Sequence, residues 1–209
     1  MKTLFLQAPS YDGFDGGAGS RYQAKREIRS FWYPTWLAQP AALVPGSRVV
    51  DGPADSLSVE ETLKIAKDYD LVIIHTSTPS FPTDAMFAQD LKKMKPSMRV
   101  GMVGAKVMVD PHNSLTASEA IDFVCREEFD YTCKEIAEGK PFPEIKGLSW
   151  RAKDGSIEHN EARPILENMD ELPFVAPIYK RDLKIDNYFI GYLNYPYVSI
   201  YTGRGCKSR

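Results

Sequence analysis

The sequence predicts a doubly wound α/β domain with a five-stranded parallel sheet, followed by a β-hairpin and an extended linker. Short apolar runs alternate with helical patterns over residues 1–142, which is typical of strands joined by right-handed crossovers. The run Asp70–His75 (DLVIIH) is apolar on both faces, as a strand covered by helices on both sides should be. No GxGxxG motif follows the first apolar run, which argues against a dinucleotide site.

Five short apolar runs that end at glycine, proline or polar residues are predicted to be the strands. They are Thr3–Gln7, Ser47–Asp51, Asp70–His75, Arg99–Val103 and Ile121–Cys125. Four helical patterns lie between them: 36–44, 58–68 with a capping box at Ser58 and Glu61, about 84–95 with Thr83 or Asp84 as cap, and 114–120. A fifth, 129–137, follows the last strand.

The pattern changes after Pro143. Two alternating runs, 145–151 and 157–159, flank Lys153-Asp-Gly155, and an Asp-Gly turn between such runs indicates a hairpin. Residues 160–196 contain several prolines and little periodicity, which predicts a linker, and Tyr197–Tyr201 resembles a further strand. We therefore expect a domain over 1–142, a hairpin extension over 143–166, and a linker into a further domain over 167–209.

Composition narrows the class of protein. The net charge of −2 and the absence of a long basic run give no indication of nucleic-acid binding. Three cysteines make no disulfide framework, and Cys125 and Cys133 are expected to be buried thiols. The apolar stretch near the N-terminus is too short for a signal peptide or a membrane span, so we expect a cytoplasmic protein, with peripheral membrane contact as an alternative.

Ligands of open parallel sheets bind where the strands end, so the loops after the strands supply the candidate binding residues. Three hydroxyls follow the third strand, and glycine and arginine follow the fourth and fifth; ordinary helix capping is the alternative role for the hydroxyls. The candidate set is Ser10, Thr76, Ser77, Thr78, Gly104, Ala105 and Arg126. Asp110-Pro-His112 invites a metal-site interpretation, but no two of the three histidines have ligand spacing, and a surface loop is favoured.

Residues 11–36 combine glycines with many aromatic and arginine residues. Two interpretations stay open. The segment is either an amphipathic stretch docked on the sheet or a lid over a large ligand, hinged at the glycines in 13–19.

Several segments in the order found here resemble the N-terminal cobalamin-binding domain of cobalamin-dependent-type radical SAM proteins. These are Gly104-Ala105 after the fourth strand, Cys125–Thr132 (CREEFDYT), the hairpin with Gly147-Leu148, Met169–Pro173 (MDELP), and Arg204-Gly-Cys206. Glu127 stands where that family has glycine. The N-terminal half, including GFDGGAGSRYQAKREIRSFWYP and HTSTPSFPTD, is similar to radical SAM proteins associated with hopanoid biosynthesis.

The resemblance implies cobalamin as a ligand of this domain. In a full-length protein it also implies a four-iron cluster and S-adenosylmethionine, with Cys206 as the first cluster ligand. The fragment itself should be inactive, with its own radical SAM barrel as partner. The implied role is hopanoid head-group maturation on a small-molecule or lipid head-group substrate. Methyl transfer or porphyrin-ring cyclisation in the same superfamily, or a docking domain that binds no cofactor, are the alternatives.

Overall fold

A computed structural model describes residues 1–9, 11 and 31–204. Their seven strands form one sheet, in the order β2-β1-β3-β4-β5-β6-β7. The strands are Thr3–Gln7 (β1), Arg48–Asp51 (β2), Leu71–His75 (β3), Arg99–Val103 (β4), Phe123–Cys125 (β5), Leu148–Arg151 (β6) and Ile157–His159 (β7). The first five run parallel, whereas β6 is antiparallel to β5 and β7 is antiparallel to β6.

The predicted fold class is confirmed. Each predicted parallel strand forms within two residues of its expected limits, because each apolar run is buried on both sides of the sheet. The predicted hairpin also forms, and it continues the same sheet beyond β5 instead of standing apart from it. The sheet therefore has a parallel part, whose five strands end at one edge, and an antiparallel border.

In the described part of the chain, the two faces of the sheet are covered by seven α-helices: Thr35–Leu43 (α1), Val59–Ala66 (α2), Phe81–Met94 (α3), Ala105–Val109 (α4), Pro111–Thr116 (α5), Asp130–Glu138 (α6) and Ala176–Asp182 (α7). Helices α1, α6 and α7 pack on one face around Phe5, Ile73 and Phe123. Helices α2 to α5 pack on the other face around Leu6 and Ile74. Among the described residues, no helix combines the length and apolar character that crossing a bilayer requires.

The helix limits follow local chemistry. The capping box at Ser58 and Glu61 is present, as predicted. The predicted cap of α3 at Thr83 or Asp84 is wrong, because the helix already begins at Phe81 after a serine turn described below. The helix predicted at 114–120 is also misplaced, since Pro111 at the first helical position lets α5 begin and end earlier.

The segment after the hairpin packs against the sheet through an aromatic cluster. Tyr33 stacks on Tyr188 at a ring distance of 4.4 Å and contacts Tyr179 at 4.7 Å. The Tyr188 hydroxyl donates to a carboxylate oxygen of Asp51 over 3.0 Å. The strand predicted at 197–201 does not form, because in the described part of the chain no strand pairs with those residues.

Candidate cofactor-binding edge

The strand order reverses between β1 and β3, which makes the carboxyl ends of these two strands the expected binding crevice. The last residues of both strands meet there, since His75 Nδ1 lies 3.1 Å from the Gln7 side-chain oxygen. Burial lowers the pKa of His75 to about 3, so its ring is neutral near neutral pH. Trp36 lies beside it, with 5.0 Å between ring centroids, and its buried indole N–H has no hydrogen-bond partner among the described residues.

The three hydroxyls after β3 have different roles. Thr76 is fully buried, and its hydroxyl donates to the Ser77 carbonyl. The Ser77 hydroxyl lies 2.8 Å from that of Ser80, and each hydroxyl accepts from the other residue's backbone N–H, which forms the turn before α3. Thr78 is exposed. Of these residues, Thr78 is therefore the one whose side chain faces solvent at this edge.

Gly104 has a φ of +118°, which favours glycine, and an added Cβ would lie 2.1 Å from the Thr76 carbonyl oxygen. Packing between β3 and β4 therefore accounts for the glycine without a ligand. Ala105 begins α4 and is exposed. Met108 and Val109, at the end of the same short helix, are exposed apolar residues that the sequence did not single out.

Arg126 follows β5, and its guanidinium donates to the Asn160 carbonyl beside the hairpin. Its Nε–H is buried and has no partner among the described residues. The next residue, Glu127, has a φ of +52°, in the left-handed region that favours glycine. The loop therefore keeps a glycine-type backbone although a glutamate occupies the position.

The same loop holds the start of the Arg-Gly-Cys motif. The Arg204 guanidinium donates to Glu128 over 2.9 Å and also to Asp130. The Asp130 side chain is 5% exposed and that of Arg204 is 22% exposed, so the ion pair is largely shielded from water. Burial raises the pKa of Asp130 above its ordinary value, and the Arg204 charge opposes this shift. No sequence signal predicted this contact.

Two histidines that looked unrelated in the sequence lie side by side. His112 on α5 and His159 at the end of β7 approach to 3.4 Å between Nδ1 and Nε2. The hairpin register, which pairs His159 with Ser149, brings them together. The pKa of His159 is lowered by partial burial first and then by the neighbouring Arg126 and His112.

Other predicted residues are placed as follows. Cys125 and Cys133 are buried free thiols, as predicted, with 4.0 Å between their sulfurs. Ser10, Cys206 and residues 12–30 of the proposed lid lie outside the described residues. At the end of that segment, Phe31 and Tyr33 are buried against residues 188–197, which fits the docked alternative for this part.

Comparison with known structures identifies the fold. The cobalamin-dependent radical SAM enzyme OxsB, solved with aqua-cobalamin and S-adenosylmethionine, matches 86% of this chain and 25% of its own, with a TM-score of 0.63 and 11% identity. The radical SAM methyltransferase TsrM from Kitasatospora setae, solved with cobalamin and a [4Fe-4S] cluster, matches 83% of this chain and 31% of its own, with a TM-score of 0.56 and 12% identity. The fold is that of Rossmann-like domains in cobalamin-dependent radical SAM enzymes.

One relative is similar in sequence. An uncharacterized methyltransferase, PH0819, from Pyrococcus horikoshii is 30% identical over 191 residues. That alignment covers 87% of this chain, and the chain spans 40% of the length of the relative. No protein-family model matches the sequence.

Proposed function

We propose that this chain is the cofactor-binding domain of a longer radical SAM protein and that the carboxyl edge of its parallel strands holds cobalamin. The observation that carries the proposal is a pair of buried donors beside this edge, the Trp36 indole N–H and the Arg126 Nε–H, which have no hydrogen-bond partner in the part of the chain that the structure describes. Leaving such a donor unpaired costs about 1–3 kcal/mol, so an acceptor-rich ligand would gain from meeting it. Cobalamin has amide oxygens around its corrin ring and phosphate oxygens in its nucleotide tail.

The residues at this edge suit a large, partly apolar ligand. Trp36, Thr78 and Arg126 would bind its acceptors, and Ser10 after β1 stays in the proposed set. The exposed side chains of Met108 and Val109 offer apolar contact area next to Gly104. When bound, cobalamin supplies a cobalt centre that can accept and donate a methyl group.

The Arg204 contact supports the second half of the proposal, a radical SAM domain beyond the linker. It holds the start of the Arg-Gly-Cys motif against the β5–α6 loop, directly after the candidate edge. In the longer protein, Cys206 would be the first ligand of a four-iron cluster that binds S-adenosylmethionine. The described chain also has a groove of about 500 Å³, and its lining includes Phe174, Ile200 and Tyr201. The groove would give the radical SAM domain an apolar surface to dock on.

For the reaction, the resemblance in the N-terminal half favours hopanoid head-group maturation, with a lipid head group as substrate and peripheral membrane contact. Methyl transfer is the second candidate, and the name of the Pyrococcus relative favours it. Anaerobic reconstitution of the longer protein, with iron counted per chain, tests for the cluster. Methyl transfer should release S-adenosylhomocysteine with a methylated product, whereas radical chemistry without methylation should release 5′-deoxyadenosine and methionine but no S-adenosylhomocysteine.

Cofactor binding is tested on this chain by titration with hydroxocobalamin, followed by the visible spectrum and equilibrium dialysis. We expect saturable binding at one site, weakened about tenfold by Trp36→Phe, because the ring stays while one hydrogen bond of about 1.4 kcal/mol is lost. Trp150→Phe is the matched control, since the Trp150 indole is already bonded to Asn160 on the hairpin. Absence of binding at high micromolar cobalamin would refute the cofactor assignment.

A further inference from the structure

The two neighbouring histidines form a feature that the proposed function does not use. His112 Nδ1 and His159 Nε2 are 3.4 Å apart, with ring centroids at 5.6 Å and an angle of 39° between the ring planes. Both residues are exposed, on separate elements, so a solvent ion can reach the space between them.

The separation distinguishes two interpretations. Hydrogen bonds from a ring N–H are usually about 2.9–3.0 Å long, so 3.4 Å is a poor direct bond. Two imidazole nitrogens, each about 2.0–2.1 Å from a tetrahedral metal ion, stand about 3.3–3.4 Å apart. We infer that His112 and His159 form a two-histidine site for a divalent transition-metal ion of the class that prefers imidazole, such as Zn²⁺, Ni²⁺ or Cu²⁺.

A buried serine orients one of the two ligands. His159 Nδ1 lies 2.8 Å from the hydroxyl oxygen of Ser149, its partner across the hairpin. When Nδ1–H donates to this hydroxyl, the Nε2 lone pair is free and faces His112. Metal-bound histidines generally use such a contact to fix the tautomer and the ring.

The rest of the coordination shell is open. The described residues contain no group of three or more histidine, cysteine, aspartate or glutamate side chains that could hold a metal, so water would fill the remaining positions. The positive charge of nearby Arg126 also opposes a cation. We therefore expect a weak, exchangeable site that joins α5 to the edge strand β7.

The test is Cu²⁺ binding to the untagged chain carrying Cys206→Ser, which removes a competing thiol. Affinity is measured by competition with a chelator, and the ligands are identified by electron paramagnetic resonance. We expect one ion per chain with two nitrogen ligands. His112→Ala and His159→Ala should each weaken binding at least tenfold, whereas Asn113→Ala, an exposed neighbour on α5, should leave it unchanged.

A stability measurement gives an independent readout, because an ion that binds only the folded state stabilises it. Micromolar Zn²⁺ should raise the midpoint of urea unfolding in the parent protein and leave it unchanged in either histidine variant. Circular dichroism verifies that the variants fold. Equal binding by parent and histidine variants, or no binding at millimolar ion, overturns the inference. Since it does not involve cobalamin, a failed cobalamin titration leaves it standing.

Discussion

Replacing Arg204 with alanine tests whether the largely buried ion pair with Asp130 holds the end of the linker. Breaking a buried pair costs about 3–5 kcal/mol, and removing an exposed pair costs about 0.2–1 kcal/mol. The Arg204 side chain is 22% exposed and that of Asp130 is 5% exposed, so the cost of breaking this pair should lie between these two ranges. The abandoned Asp130 carboxylate can also take up a proton, which limits the cost. We expect Arg204→Ala to lower the free energy of unfolding by about 2 kcal/mol, about a 30-fold change in the unfolding equilibrium constant.

The assay is urea unfolding at pH 7, followed by circular dichroism. Lys64→Ala is the matched control, because Lys64 pairs with Glu60 on an exposed helix face and its loss should leave the free energy of unfolding almost unchanged. Adding Asp130→Asn to Arg204→Ala should restore part of the loss, since no unpaired carboxylate then remains buried.

The pH dependence gives a second check on the same pair. The pKa of Asp130 is already raised by burial, and removal of Arg204 raises it further. A carboxyl group with a raised pKa destabilises the fold when ionised, so the cost of Arg204→Ala should shrink as the pH falls through that pKa. A loss below about 0.5 kcal/mol at pH 7, or one that Asp130→Asn does not relieve, would show that the pair is not structural.

Three further predictions concern the carboxyl edge, and unfolding free energies check each of them. Gly104→Ala should cost about 3 kcal/mol, because the new Cβ meets the Thr76 carbonyl oxygen at a positive φ. Gly139→Ala is the control and should cost about 1 kcal/mol, because Gly139 also has a positive φ but no described atom lies within 4 Å of the new Cβ. Equal costs would contradict the packing argument. Glu127→Gly should change the free energy of unfolding by less than about 1 kcal/mol, because relief of backbone strain at a φ of +52° offsets the greater entropy of the unfolded chain. A larger loss would mean that the glutamate side chain has a structural role. The pKa of His75 is lowered to about 3, so between pH 6.5 and 3 this residue takes up a proton only in the unfolded chain. The free energy of unfolding of the wild type should therefore fall by up to about 1.4 kcal/mol for each pH unit by which the pH is lowered in that window. His75→Asn should reduce this slope, and an unchanged slope would show that other groups cause it.

The parallel part of the fold could be predicted from the sequence because each strand is a short apolar run bounded by turn-forming residues. Burial on both faces leaves few alternatives for a run such as Leu71–His75. The edge of the sheet at which the polar loops meet could be predicted for the same reason, because parallel strands end on the same side. The predicted start of α3 was wrong because hydrogen bonds between Ser77 and Ser80 form a turn that lets the helix begin earlier, at Phe81.

The chemistry of the site was less predictable because it depends on which partners each side chain meets. Thr76 and Ser77 lie where expected, yet their hydroxyls bond within the turn. The pairing of His112 with His159 depends on the hairpin register. The ion pair of Arg204 with Asp130 joins two residues that are 74 positions apart in the sequence. Local sequence patterns contain no signal for such contacts, and only the assembled fold reveals them.

The stacking of Tyr33 on Tyr188 has a consequence for biosynthesis. A ribosome delivers the first of these rings long before the second, so the face of the sheet that carries α1 stays incompletely covered while some 150 residues are translated. Contacts of such long range slow folding and leave apolar surface open to aggregation meanwhile. The nascent chain should therefore bind a chaperone until the second tyrosine has left the exit tunnel.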